Sequence, residues 1–544
     1  MRILSFNVAH DSSVSVLNDG HLEFFCKEER ISRVKRDKNP FKSLELYSKL
    51  NLGPIDRVVY SSPSDNQTDV RGFWHTYVGK KFDRPETFLT YSHHISHAML
   101  AFTNSGFDQA IVVVIDRDGS VIVINDEPVA RESESVFLFN KEHGYKAVQK
   151  SYWLYKDLSR RHLVQNYIES LYPGCKVTTN NPYSIVKIYE GATTIIGQDP
   201  LENGKTMGLS SYGEDLDYEP LFYDSVPLAH KFTTLPTGEV CFFGEESLIT
   251  KDINPENYQY YANRAKQVQL TTQYEALRII AEYVEKTGIK NVCLVGGYAL
   301  NVVANNFYLK NLPDVAFYFE PVADDTGISL GAALLAHHQL TGEYPPPLKD
   351  NFYHYYDHSE ELIAGKKANI AKIVSMLAEG KSVAIFEGHP EAGPRALGHR
   401  SILFDARNPE AKEIVNRIKR REWYRPFAGV ILESEFANYF ETLDVPSSPY
   451  MTINFDAKEE TKKLVPGIIH VDGTCRIQTV SEGFLFDLIQ AFHKKTKCPM
   501  ILNTSFNLAG EPLVQTKAEA IKTLENSELD AIYFVEEGKI LTKS

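Results

Sequence analysis

The chain has 544 residues, more than one hydrophobic core usually serves, so two or more domains are expected. With 43% hydrophobic and 24% charged residues it reads as globular, and a net charge of −13 argues against broad non-specific binding to nucleic acid, leaving room only for a local basic groove. Six scattered cysteines with no C-x-x-C pair, no signal peptide in MRILSFNVAHDSS and no run long enough to span a membrane lead to an expectation of free thiols in a reducing, cytoplasmic setting.

Residues 3–6 read as a buried strand, followed by a polar corner from Asn7 to Ser12 that contains His10. Ser13–Asn18 alternates and meets Asp19-Gly20, a hairpin signal, and His21 to Cys26 returns as the next strand. A mixed-charge cluster follows: Lys27, Glu28, Glu29 and Arg30, with Arg33 and Lys35. Ser13 to Asp19 resembles Ser120 to Asp126, each preceded by an apolar strand and a corner containing Asp, which suggests a duplicated domain. Between the two copies lies Tyr91 to Ser120, on which the chain's chemistry turns. His93 and His97 are four residues apart, about one helical turn, so both imidazoles leave one face. The β-branched run Ile111–Ile115 suits a buried strand and ends in Asp116, at the sheet edge where α/β folds bind ligands. Two imidazoles and a carboxylate form a half-shell for a divalent metal, or simply a polar helix face.

Residues 145–180 read as irregular and polar-aromatic, a lobe insertion with helices. The stretch from Asn203 to Gly213 has a Gly-Lys-Thr triplet but lacks the earlier glycine of a phosphate loop, so a Walker reading fails. It remains a glycine-rich loop, either ordinary or placing Lys205 beside an anion or nucleotide. Gln273–Thr287 is an amphipathic helix stopped by Gly288. The strand Asn291–Val295 then runs into Gly296, Gly297 and Asn301, where paired glycines serve either a phosphate's approach to backbone N–H groups or tight helix–strand packing. A strand over Val315–Phe319 leads to Asp324, Asp325 and a helix over Ile328–His337, whose acids are caps unless one completes the metal shell.

Pro345 to Pro347, followed by Lys349, Asp350 and Asn351, marks a stiff linker, with the domain boundary between about 345 and 365. The second domain opens with a helix over Ala364–Glu379 and a strand over Ser382–Phe386. Its cations sit in four turn-rich segments: Arg395 in GPRALGHRS, Lys419 and Arg425 within NRIKRREWYRPF, Arg476 in HVDGTCRIQ, and the neighbourhood of Asn503 and Ser505 in NTSFN. Cations in Gly-, Pro- and Asn-rich turns favour a convergent oxyanion pocket over solvated surface charge.

Taken together these stretches resemble the NodU/TobZ-type O-carbamoyltransferase family over nearly the whole chain. The likeness rests on HDSS, EERISRVK, HHISHA, GKTMGLSSYG, GGYALNVVAN, DTGISLGAAL, GPRALGHRSIL, REWYRPFAG, HVDGTCRIQTV and NTSFNLAGEPLV in that order. The resemblance implies an α/β chain: a duplicated actin-like (ASKHA, RNase H-like) domain over residues 1–350, followed by an α+β YrdC-like domain over 351–544. It implies that the second domain converts carbamoyl phosphate and ATP to carbamoyl adenylate, and that the first transfers the carbamoyl group to a hydroxyl. His93, His97, Asp116 and Asp325 would be metal ligands, for Fe²⁺ or alternatively Zn²⁺ or Mn²⁺, with Mg²⁺ accompanying ATP. Arg395, Lys419 and Arg476 would act on the phosphates, with Arg425, Asn503 and Ser505 binding substrate. His10 would serve the transfer step, and Lys205, Gly296, Gly297 and Asn301 the nucleotide.

The implied partners are ATP, carbamoyl phosphate and a hydroxyl-bearing small molecule, sugar or natural product. A hydroxymethyl pyrimidine in DNA or a nucleotide, a tRNA threonylcarbamoyl acceptor, and a non-catalytic nucleotide-binding role are the competing readings. A homodimer is the assembly alternative to a monomer, and no membrane is involved. The chain departs from the family's Asp-Gly-x-Gly-Glu pattern, reading Asp116, Arg117, Asp118, Gly119, Ser120. Arg117 therefore points to a different or charged acceptor, and Asp118 competes with Asp116 as ligand. Asp324 likewise competes with Asp325, and His94 with His93; the family spacing and the one-turn spacing favour Asp325 and His93.

Overall fold

The apolar run at the N-terminus forms β1 (Arg2–Asn7), which turns back as β2 (Ser13–Asn18) and β3 (His21–Lys27). The hairpin between β2 and β3 closes on Asp19 and Gly20, both left-handed at φ 49° and 79°, which matches the twist of the strands it joins. In this computed structural model residues 1–8, 10–61, 68–82, 88–155, 158–180, 183–348 and 365–543 are described. Two units emerge: Met1–Glu28 with Asp37–Lys349, and Glu29–Arg36 with Asp350–Ser544.

In the first unit, β4 (Arg57–Ser61) and β5 (Phe88–Tyr91) complete a five-stranded sheet in the order β3-β2-β1-β4-β5. β1 pairs antiparallel with β2 and parallel with β4. A second sheet is built from β6 (Gln109–Ile115), β7 (Val121–Ile124), β8 (Glu127–Asn140), β9 (Gly144–Leu154) and β10 (Lys176–Asn180). Two small hairpins follow, β11 (Phe222–Tyr223) with β12 (Val226–Pro227) and β13 (Phe232–Thr234) with β14 (Val240–Phe242). The second sheet is then completed by β15 (Asn291–Val295) and β16 (Ala316–Phe319) in the order β10-β9-β8-β6-β15-β16. Its inner path β9-β8-β6-β15-β16 repeats the first sheet's order and strand directions: antiparallel at β9/β8 and β8/β6, parallel at β6/β15 and β15/β16. A repeated βββ-β-β frame is thus present, but not in the register that the sequence likeness suggests. The hairpin starting at Val121 is an added flap, because β7 pairs only with β8 off the main path; β8 occupies the place of β2.

Several expectations need correction. Residues 145–180 are not irregular: β9 is an eleven-residue strand, and the helix Arg161–Leu171 and β10 follow it. Asn203 to Ser210 is a helix rather than a glycine-rich loop. The helix expected over Gln273–Thr287 starts fifteen residues earlier and runs Tyr258–Thr287, because its polar first half buries glutamines as well as apolar residues and so lacks a clean stripe. The helix placed at Ala364 begins at Ile370, where Asn369 caps it, after the short strand β17 (Lys366–Lys367); Ala364 itself and the linker residues Lys349, Asp350 and Asn351 lie outside the described residues. The charged segment Glu29–Arg36 belongs with the second unit, where Arg30 donates to the Gly393 carbonyl at 3.2 Å and Arg33 to that of Leu513 at 2.8 Å.

The second unit holds one mixed nine-stranded sheet. Besides β17 it contains β18 (Val383–Phe386), β19 (Arg400–Phe404), β20 (Ala428–Leu432), β21 (Asn454–Asp456), β22 (Thr474–Val480), β23 (Met500–Ser505), β24 (Ala531–Phe534) and β25 (Lys539–Thr542). Their order is β17-β25-β24-β18-β19-β23-β20-β22-β21. All six cysteines of the chain are buried, and none forms a disulfide. Among the described residues no helix is long and apolar enough to cross a membrane.

The helix His93–Ser105 is buried from His93 to Asn104 and packs against the helix Ile328–Thr341. That approach is set by Gly331, where an added Cβ would lie 1.8 Å from the Ser96 carbonyl oxygen. Gly331→Ala therefore forces the two helices apart. We expect it to cost about 2 kcal/mol, within the usual range for overpacking, and to lower the thermal midpoint. Gly204→Ala, in the helix Asn203–Ser210 with no described atom within 4 Å of the new Cβ, should leave it unlowered or slightly raised.

Candidate functional site

Three pieces of backbone in the first unit deliver four candidate metal ligands to one point. The helix starting at His93 presents His93 and His97 from one face, their ring centroids 4.9 Å apart and 68° between planes. β6 ends by presenting Asp116, and the turn Asp325–Gly327 presents Asp325. His93 Nε2 lies 3.2 Å from Asp116 Oδ2 and 3.4 Å from Asp325 Oδ1, and His97 Nε2 lies 3.7 Å from Asp325 Oδ1. One ligand atom from each of the four falls within 4.8 Å of every other. The residues are buried, between 0% and 4% exposed, so water does not screen the two carboxylates. His97 Nε2 and Asp325 Oδ1 face this point with no hydrogen-bond partner. Two imidazoles and two carboxylates, with orphaned ligand atoms converging, fit a divalent cation. Burial opposes a proton on His93, but Asp325 and Asp116 together raise its pKa to about 10.

The three rivals are employed elsewhere. His94 points to Ser135 Oγ at 2.8 Å and to Glu132, and burial drives its pKa down to about 3. Asp118 pairs with Arg117 and lies 3.4 Å from Arg131. Asp324 caps the turn through the Thr326 N–H at 3.2 Å. Ser120, standing where the family carries an acid, accepts the His93 backbone N–H at 3.1 Å and so fixes the start of the histidine helix.

His10 stands at the edge of this shell, its Nε2 3.5 Å from Asp325 Oδ2 and its Nδ1 3.2 Å from Asp11 Oδ2. Burial lowers its pKa, but Asp325 and Asp11 raise it further, to about 9. Sequence reasoning missed the support beneath it: Lys27 Nζ binds Asp11 at 2.6 Å and approaches Asp324 at 3.9 Å. The signal was present as the charged run from Lys27, but nothing in one dimension pairs it with Asp11.

The paired glycines serve the same shell. Gly296 has φ 88°, and a Cβ there would sit 2.4 Å from the Ile115 carbonyl oxygen, so its need is close packing against β6. The Gly297 N–H donates to Asp116 Oδ1 at 2.8 Å, so the anion it meets is the ligand carboxylate. Asn301 caps the helix Val302–Asn311 and bonds Gln269 at 3.0 Å. Lys205 is held by Glu202 at 2.6 Å and Gln198 at 2.7 Å.

The second unit gathers the cations that its sequence scatters. Arg476 of β22 and Asn503 of β23 both oppose Ala428 of β20, so the two share a row and a face. Gln478 and Ser505, each two residues on, share that face, and Asn503 donates to Gln478 Oε1 at 2.9 Å. Lys419 Nζ binds Ser505 Oγ at 3.1 Å and Asn507 Oδ1 at 3.0 Å. Asn503 and Gln478 also donate to the carbonyls of Ala396 and Leu397, at 3.3 and 2.8 Å, which anchors the loop carrying Arg395. Arg425 lies 3.6 Å from Glu422. Burial, reinforced by Arg421 and Arg425, holds the Lys419 pKa well below the usual range. Burial and Arg425 likewise lower Arg476 to about 10, although Cys475 opposes them. Mutual repulsion among buried cations is what a bound oxyanion relieves. Gln478 and Arg421 were not singled out from sequence, although both lie inside motifs that were.

Residues 75–334 match the family model described as Carbamoyltransferase N-terminus, and residues 374–540 match Carbamoyltransferase C-terminus. Protein sll1178 of Synechocystis sp. is 31% identical over 83% of this chain and 76% of its own length. The chain belongs to the carbamoyltransferase family. Nodulation protein NolNO of Sinorhizobium fredii is 28% identical over 96% of the carbamoyltransferase chain and 78% of its own. Nodulation protein U of Rhizobium tropici is 25% identical over 96% and 93%. Among solved structures, full-length HypF in its phosphate- and nucleotide-bound form is 15% identical and covers 63% of this chain and 56% of that one, with a TM-score of 0.38. In the carbamoyltransferase the N-terminal match holds all four metal-binding candidates, and the C-terminal match holds Arg395, Lys419, Arg425, Arg476, Asn503 and Ser505.

Elemental analysis after dialysis should find metal retained by Asp118→Asn and His94→Gln but lost from Asp116→Asn and His97→Ala. Inorganic phosphate or pyrophosphate should raise the thermal midpoint of the wild type, with about 2.7 kcal/mol gained at a hundredfold excess over Kd. In Lys419→Ala and Arg476→Ala that gain should largely disappear.

Proposed function

We propose that this carbamoyltransferase makes carbamoyl adenylate in its second unit and carbamoylates a hydroxyl in its first. The observation that carries this reading is the division of charge: an acid-rich shell around His93 in one unit and a cation-rich row around Arg476 in the other. The reading takes the first unit as an actin-like (ASKHA) domain, in keeping with its repeated sheet order, and the second as YrdC-like.

In the second unit carbamoyl phosphate gives up its phosphoryl group to water, leaving carbamate and phosphate. A carbamate oxygen attacks the α-phosphorus of ATP; the bond to the β-phosphate oxygen breaks, and pyrophosphate departs. Arg395, Lys419, Arg425 and Arg476 match the negative charge gathered on the phosphates, and Asn503 and Ser505 hold the geometry. In the first unit an acceptor hydroxyl attacks the carbamoyl carbon and AMP leaves. A divalent ion held by His93, His97, Asp116 and Asp325 would supply Lewis acidity, Fe²⁺ before Zn²⁺ or Mn²⁺. His10, oriented by Asp11, which Lys27 holds, would exchange a proton with the hydroxyl. Asn301, Gly296, Gly297 and Lys205 are the candidate nucleotide contacts of this unit, with the Gly297 N–H already given to Asp116.

Family membership makes the protein a transferase and removes the non-catalytic reading. Among acceptors, a small hydroxyl-bearing molecule stands ahead of long duplex DNA or tRNA, because the chain carries a net charge of −13.

Turnover of radiolabelled ATP tests the two steps. With carbamoyl phosphate present the wild type should form AMP and pyrophosphate. Arg476→Ala should lose both by about a hundredfold or more, the scale for removing one oxyanion-binding group. His10→Asn should still make and accumulate carbamoyl adenylate. No pyrophosphate from wild type, with and without an acceptor extract, would sink the reading.

A further inference from the structure

The first unit holds a row of buried, unpartnered polar atoms used neither by the candidate metal ligands nor by the nucleotide candidates. β8, β9 and β10 run side by side, and Arg131, Trp153 and Asn180 oppose one another in one row across them. Directly opposed residues leave the same face of a sheet. The other face is closed by an apolar cluster that includes Ala130, Tyr152, Leu154, Val164 and Ile168. On the row's own face, Arg131 Nε, Trp153 Nε1 and Asn180 Oδ1 are all buried with no hydrogen-bond partner, and Asn180 is only 5% exposed. A buried polar group left unpaired costs on the order of 1–3 kcal/mol. Three in one row, two donors beside one acceptor, have the pattern of a site awaiting a ligand.

This row connects to the metal shell through a ring of charge. Arg131 lies 3.4 Å from Asp118, which pairs with Arg117, the residue that follows Asp116. Arg117 also pairs with the fully buried Glu190. Lys187 reaches Glu190 at 3.5 Å and lies 5.6 Å from the centre of the Trp153 ring, closing the circuit. Three cations thus surround two carboxylates, leaving one positive charge in excess. Arg117 and Arg131 keep 22% and 23% of their side chains exposed, so the ring is open on one side. Lys187 on the Trp153 ring and Tyr155, with its centroid 4.8 Å away, crowd the indole, so a ligand meets Trp153 through its N–H rather than by stacking.

We propose that this row seats the hydroxyl-bearing acceptor, and that the acceptor carries an oxyanion, a phosphate or a carboxylate, on the same molecule as the hydroxyl. The oxyanion takes the N–H groups of Arg131 and Trp153, and a hydroxyl of the acceptor donates to Asn180 Oδ1. Arg117 stands between this seat and Asp116 and is the residue that sets specificity. The proposal rests on the transfer reading above, but its test does not use turnover.

The chain has three tryptophans, Trp74, Trp153 and Trp423, so its indole N–H resonances are few and Trp153→Phe assigns one of them. Inorganic phosphate and acetate are titrated separately into the full-length protein. The Trp153 resonance should shift and saturate with at least one of them, and which one responds tells phosphate from carboxylate. Asn180→Asp, which sets a charge against the anion, and Arg131→Gln should each weaken that response by about tenfold, a 1.4 kcal/mol effect. Should Arg131→Gln not fold for want of its Asp118 partner, Asn180→Asp carries the test. A Trp153 resonance that ignores both anions, or a response confined to Trp423 of the second unit, overturns the proposal. So does an unchanged midpoint in the variants. Failure of pyrophosphate formation would strike the two-step reading and leave this titration untouched.

Discussion

Two carboxylates buried against two imidazoles form the constraint that orders the first unit. Asp116 and Asp325 come from sequence positions more than two hundred residues apart, yet both lie within 3.4 Å of His93 Nε2. Left alone, such a group is costly: desolvated charges repel, and protonating His93 compensates only one of them. The surrounding backbone is arranged to hold it regardless. The Gly297 N–H fixes Asp116, Ser120 fixes the head of the histidine helix, and the Asn7 amide donates to the Asp325 carbonyl at 3.2 Å. Gly331 allows the helix behind Asp325 to lie directly on the helix carrying His93 and His97. A site held this firmly against its own electrostatics is organised for a cation.

The second unit solves the opposite problem. Lys419, Arg421 and Arg476 are buried together, and burial with mutual repulsion lowers the pKa of each. The side chains stay in place because neutral oxygens hold them: Ser505 and Asn507 around Lys419, Asn416 and the Pro426 carbonyl around Arg421. Satisfying a cation with carbonyl and amide oxygens rather than carboxylates keeps its charge available to a ligand. The overall charge of −13 therefore hides a strongly cationic interior site.

How much of this was legible in the sequence follows from the range over which each signal acts. The one-turn spacing of His93 and His97, the strand end at Asp116 and the hairpin at Asp19-Gly20 are local, and the structure has each where the spacing put it. The choice of Asp325 over Asp324 came from family spacing, and the turn geometry accounts for it, since Asp324 is spent on capping. Nonlocal pairings were out of reach. Nothing in the run from Lys27 shows that Lys27 turns to Asp11 while Arg30 and Arg33 belong with the second unit. The helix at Asn203 was hidden by glycines, whose low helix propensity is overridden by packing against the long helix Tyr258–Thr287. β9 was hidden because its polar residues, Gln149, Lys150 and Ser151, are buried in pairs rather than alternating with solvent.

The departures from the family pattern gain a physical meaning from the same accounting. Where the pattern has a glycine, Arg117 brings a positive charge next to a ligand carboxylate, and a bare guanidinium there would draw Asp116 away from its shell. Asp118 and Glu190 prevent that by engaging Arg117 on two sides, and Arg131 and Lys187 in turn balance those acids. Five charged residues are thus bound to one another around Arg117, and none of them is among the four candidate ligands. The network sets the charge beside the cluster of His93, His97, Asp116 and Asp325 without entering it.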